Sequence, residues 1–128
     1  MKRDMDLVRE LLLRIEALPI GPGRIVGIGL DQPELTVKEF PTEDIEHHLR
    51  FLMNGGLLDG HFTMNGLLQT KGLTWAGQDF LDKVRDDETW TWTKGAAKRA
   101  GGFSLELLGN LATAYIKDRA AKLFGMPL

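Results

Sequence analysis

Apolar positions along the chain change spacing several times, from helical to alternating and back, and each change marks an element. Met5, Val8, Leu11, Leu12 and Ile15 recur at three- and four-residue intervals behind Asp4, which predicts a capped helix to about Ala17 with this face in the core. Pro19, Gly21, Pro22 and Gly23 stop it, and the chain to Gly29 reads as a loop or an irregular strand. From Leu35 to Phe40, Leu, Val and Phe alternate with polar neighbours, which predicts a half-buried strand. Pro41 and Thr42 open a second helix, with Glu43 and Asp44 favourably placed at its positive end. Ile45, Leu49, Leu52 and Met53 form its apolar face, Glu43, His47, Arg50 and Asn54 its polar one, and Gly55-Gly56 end it.

Leu57 to Met64 and Leu67 to Leu73 flank Asn65-Gly66, a pair that predicts a β-hairpin closed by a type I′ turn. Thr74 caps the next helix, whose buried stripe is Gly77, Phe80, Leu81 and Val84, with Trp75 near its start. Asp86 or Asp87 begins another, broken at Gly101-Gly102, in which Trp90 and Trp92 cannot share one core stripe. Ser104 caps the last, with a wide apolar stripe of Leu105, Leu108, Leu111, Ala112, Tyr115, Ile116 and Leu123. The order from Thr42 to Arg85, helix, hairpin, helix, is that of a winged-helix domain with the hairpin as wing. The expectation is therefore an α+β, winged-helix-like core over residues 1–86 and a C-terminal helical extension over 87–128, together one domain.

The 128 residues are 43% hydrophobic and 27% charged, a globular balance, and contain no cysteine, so disulfides, thiolate metal sites and a cysteine nucleophile are excluded. Charges break up the N-terminal MKRDMDLVRE and no apolar run reaches the ~18 residues of a membrane span, so a cytoplasmic protein without membrane contact is expected. The net charge of -2 is uneven: residues 1–88 hold 10 Lys and Arg against 16 Asp and Glu, and residues 89–128 hold 6 against 2.

Three segments, MKRDMDLVRELLLRIE, TEDIEHHLRFLMNGGLL and LTWAGQDFLDKVRDDETW, resemble an uncharacterised bacterial and phage-associated family, the domain of unknown function 2513. The resemblance covers nearly the whole chain. It implies a winged-helix-like fold and a frequent origin in prophages, and it brings no catalytic residues. GPGRIVGIGLDQPE is its variable part. That run lacks the GxGxxG spacing, follows a helix and opens none, so it reads as a loop and not as a phosphate cradle.

No nucleophile motif, metal-ligand spacing or cofactor fingerprint occurs, and no enzyme activity, metal or cofactor is expected. His47 and His48 point about 100° apart on a helix and cannot easily share an ion. Asp86-Asp87-Glu88 reads as a helix N-terminus. Two binding functions remain. In the leading one the protein is a DNA-binding regulator: His47, Arg50 and Asn54 face duplex DNA from the recognition helix and Lys71 from the wing. Glu43, Asp44 and Glu46, a wing with one cation, and the lack of a helix before the recognition helix weigh against it. In the alternative the protein contacts a phage or host protein, or a second copy of itself through Leu105, Leu108, Leu111 and Tyr115 of the last helix.

Overall fold

A computed structural model describes residues 2–125. Among them are five helices and a three-stranded antiparallel sheet, an α+β arrangement. The order is α1 (Met5–Glu16), β1 (Val26–Gly29), α2 (Thr42–Asn54), β2 (Leu58–Phe62), β3 (Leu67–Leu73), α3 (Trp75–Val84), α4 (Asp87–Ala100) and α5 (Leu105–Phe124). The chain divides into two compact units, one ending at Asp79 and one starting at Phe80.

In the first unit, Asp4 begins α1 by accepting the Asp6 and Leu7 N–H groups at 2.9 and 3.2 Å, which satisfies two of the donors a helix start leaves open. The expected stripe of Met5, Val8, Leu11, Leu12 and Ile15 is buried, joined by Leu7. It packs with α2 and β3, and Ile45, Leu49, Leu52 and Leu68 complete the core. The sheet order is β1-β3-β2, with Ile28 opposite Leu68 on one side of β3 and Phe62 opposite it on the other.

Two local expectations are corrected. Leu35 to Phe40 forms turns, and the strand lies earlier, at Val26–Gly29. Leu35 and Val37 are buried as their alternation implies, but the backbone there bonds to itself: the Leu35 and Thr36 N–H groups donate to the Gln32 carbonyl and Phe40 donates to Val37. Glu39, in the left-handed region at φ 75°, rules out a continuous strand. The hairpin forms where Asn65-Gly66 predicts, with a different turn. Only Gly66 has positive φ (80°); it donates to Thr63, and Thr63 in turn donates to Leu67. That is a three-residue loop with glycine in the bulge position, not type I′.

β3 also carries one extra residue, Lys71, where Asp59 pairs with Gly72 and Gly60 with Thr70. The buried Thr70 hydroxyl closes the gap, donating to the Asp59 carbonyl (2.7 Å) and accepting the Gly72 N–H (2.9 Å). Thr74 then caps α3 through the Gly77 N–H at 3.0 Å, as its position predicts.

In the second unit Asp86 caps α4 through the Thr89 N–H (2.9 Å). Gly101 stops it in the left-handed region, with Gly102 donating to Ala97 and Gly101 to Lys98, the paired bonds of a Schellman ending. Ser104 caps α5, which packs on α4. Trp90, Thr93 and Ala97 are buried from α4, but from α5 only Leu108, Gly109 and Ala112, a narrower stripe than the spacing suggested.

Candidate interaction surface

The outer face of α2 and the hairpin beside it hold the residues selected from the sequence. Successive side chains three and four apart on a helix are neighbours, so His47, Arg50 and Asn54 share this face. Both basic side chains there have a carboxylate neighbour one turn away on the same helix. His47 Nε2 lies 3.9 Å from Glu43 Oε1. Arg50 donates from Nε to Glu46 Oε2 at 3.3 Å, and its guanidinium carbon sits 4.5 Å from the centre of the Phe62 ring on β2. Arg50 is thus held along its length by a carboxylate on one side and an aromatic face on the other. Asn54 is exposed at the end of the helix. Lys71 is exposed too, but it lines a separate cleft of about 280 Å³ with Ile25, Asp59, His61 and Gln69 and joins no residue of α2 there.

His48, which no sequence motif singled out, is 2% exposed and bridges α1 and α2. The Asp4 N–H donates to its Nε2 at 2.9 Å, and Nδ1 lies 2.8 Å from the Asp44 carbonyl. Since Nε2 accepts, the proton sits on Nδ1 and the ring is neutral. Its place three residues after Ile45 and four before Leu52 was the available signal, because that spacing puts it within the apolar stripe.

Large apolar side chains stand in water at the hairpin tip and at the start of α3. Trp75, the first residue of α3, is 91% exposed, and Met64 at the hairpin tip is fully so. Thr74 anchors that part of the chain to the end of α2, its hydroxyl donating to the Gly56 carbonyl and its N–H to that of Leu57.

The four α5 residues selected as an interface separate. Leu108 is wholly buried and belongs to the core of its unit, whereas Leu105, Leu111 and Tyr115 are half-buried. Tyr115 stacks on Trp92 with ring centres 4.8 Å apart and donates its hydroxyl to Glu88 at 3.1 Å. Desolvation, then the bond to Glu88 and its charge, raise the Tyr115 hydroxyl above the ordinary phenol pKa. Arg119 reaches Asp86 and Glu88 at 3.5 and 3.8 Å. The exposed apolar residues of α5 are instead Ile116, Leu123 and Phe124.

Among the described residues, no group of three or more His, Asp or Glu side chains is placed to hold a metal ion, and no helix is long and apolar enough to cross a membrane. An uncharacterised protein of Haemophilus influenzae is 29% identical over 125 residues, covering 94% of this chain and all of the relative. No solved structure matches the chain. The family model described as "Hypothetical protein (DUF2513)" matches residues 2–104, so the chain belongs to that family.

Proposed function

We propose that this protein is a non-catalytic, winged-helix-like module of the cytoplasm that binds another protein, of phage or host, in preference to DNA. Support for the winged-helix outline comes from the order α1, β1, α2, β2, β3 and from the central position of β3 in the sheet. The helix that would precede a recognition helix is represented by a single turn at Gln32 to Thr36. Fold alone does not choose the ligand, so the surface of α2 has to.

The engagement of Arg50 carries the choice. A recognition helix reads guanine through a free guanidinium fork, whereas here Nε donates to Glu46 and the guanidinium lies over the Phe62 ring. Glu43, Asp44 and Glu46 add negative charge where phosphates would lie, and the hairpin tip of Met64, Asn65 and Gly66 brings no cation. Exposed Trp75 and Met64 are the kind of apolar anchors that protein interfaces use.

Fluorescence anisotropy with duplex genomic fragments, from low to physiological ionic strength, tests the choice. Absence of binding is expected, and binding that weakens steeply with salt would restore the DNA-regulator reading. Affinity capture with wild-type protein and with Trp75→Ala tests the positive half: a partner that Trp75→Ala retains as well as wild type would refute the role of this surface. A homodimer through α5 is the second reading, favoured by Ile116, Leu123 and Phe124 standing exposed along one helix. Light scattering on wild type and Leu123→Glu decides it.

A further inference from the structure

We infer that the outer edge of β1 is a docking site for an extended, lysine- or arginine-bearing segment of a partner protein, which adds to the sheet as a fourth strand. The inference rests on the protein-binding function proposed above and names the chemistry of the partner.

The edge follows from the hydrogen-bond phase of the sheet. Because the Thr63 N–H donates to the Leu67 carbonyl, residues 67 and 69 of β3 turn their backbone groups toward β2. Leu68 and Thr70 then turn theirs toward β1, where they face Ile28 and Val26. Gly27, between those two, points its N–H and C=O away from the sheet, and neither has a partner among the described residues. Beyond it the edge closes, since the Gly29 carbonyl accepts the Gln32 N–H at 3.1 Å.

An open groove of about 450 Å³ runs along this edge. Leu18, Pro19 and Leu67 are among its apolar lining, and Asp31, Gln32 and Glu34 line it as well. Gly27 carries no side chain, and only Gln69 Cγ, at 3.9 Å, lies near where one would stand, so an incoming backbone can approach closely there, whereas the Asp31 carboxylate already covers Gly29. Asp31 and Glu34 are both exposed, and among the described residues neither has a cation partner. Arg14 reaches the same loop, but it donates to the Pro33 carbonyl at 3.2 Å and is neutralised by Glu10 at 3.1 Å. Unpaired backbone groups supply strand addition, and two unneutralised carboxylates select a basic segment. A second copy of β1 is disfavoured as the occupant, because it would bring its own Asp31 and Glu34 against these.

Titration of the full, ¹⁵N-labelled chain with the blocked peptide Lys-Val-Lys-Val-Lys, and with its Glu-Val-Glu-Val-Glu counterpart, tests this. The lysine peptide should shift the amide resonances of Gly27, Gly29 and Gln32 and slow exchange of the Gly27 amide several-fold, and the glutamate peptide should do neither. Gly27→Pro removes the outward donor and no ladder bond, so it should abolish the effect at Gly29 and Gln32. Asp31→Lys combined with Glu34→Lys should exchange the preference between the peptides, and this pair carries the test if Gly27→Pro does not fold. No shift with the lysine peptide, equal binding of both peptides, or undiminished binding by Gly27→Pro would overturn the inference. If that happens while duplex DNA still fails to bind, only the β1 site falls; salt-dependent DNA binding would remove the functional proposal beneath it.

Discussion

Buried polar side chains that serve neighbours are costlier to lose than their own bonds suggest. His48 is the clearest case, since its ring accepts the Asp4 N–H at the start of α1. His48→Leu keeps most of the volume and strands that donor, so a loss of about 1–3 kcal/mol is expected in urea unfolding. An unchanged midpoint would mean that water reaches Asp4. Gly77 makes the opposite point, about space. A Cβ there would fall on the Leu57 carbonyl, a backbone atom that cannot swing aside. Alanine favours a helix over glycine by about 1 kcal/mol, yet Gly77→Ala should destabilise by about 1–3 kcal/mol through this clash. A raised melting temperature would show that α3 can slide away from Leu57.

Among the elements, the helices were legible because a 3.6-residue period survives in any environment that buries one face. Asp4, Thr74, Asp86 and Ser104 cap where their side chains predict. The misplaced strand shows what alternation reports. Leu35 and Val37 alternate in burial without any strand partner, because a chain held by turns can also point every second residue inward. The four-residue β1 was harder to read, as two of its residues are glycine and pairing with β3, not side-chain pattern, defines it. The bulge at Lys71 was invisible for the same reason. It depends on the Thr70 hydroxyl, so Thr70→Val, though similar in shape, should cost about 1–3 kcal/mol by leaving the Gly72 N–H and the Asp59 carbonyl without that partner. Calorimetry showing no loss would mean that the ladder closes over the bulge unaided.

At the scale of the molecule, charge follows the two units. Residues through Asp79 hold 8 Lys and Arg against 12 Asp and Glu, a net -4, and the remainder holds 8 against 6, a net +2. The unit that carries α2 and the β1 groove is thus the acidic one, which agrees with a basic peptide partner better than with phosphate. Of the candidate site, the face of α2 could be read from spacing. That Arg50 was spoken for could not, since Phe62 comes from another element twelve residues on. The β1 edge carries no motif at all, and only the pairing of strands reveals it.

Met64 offers a last consequence. Its thioether stands fully in water at the hairpin tip, while Met5 is buried and Met53 only partly open. Dilute peroxide should therefore convert Met64 to the sulfoxide ahead of those two, as peptide mass mapping would show; oxidation of Met5 first would contradict the fold. The hairpin so carries its own chemical footprint. A partner that covers it will slow one oxidation at one sulfur, without any label having been added.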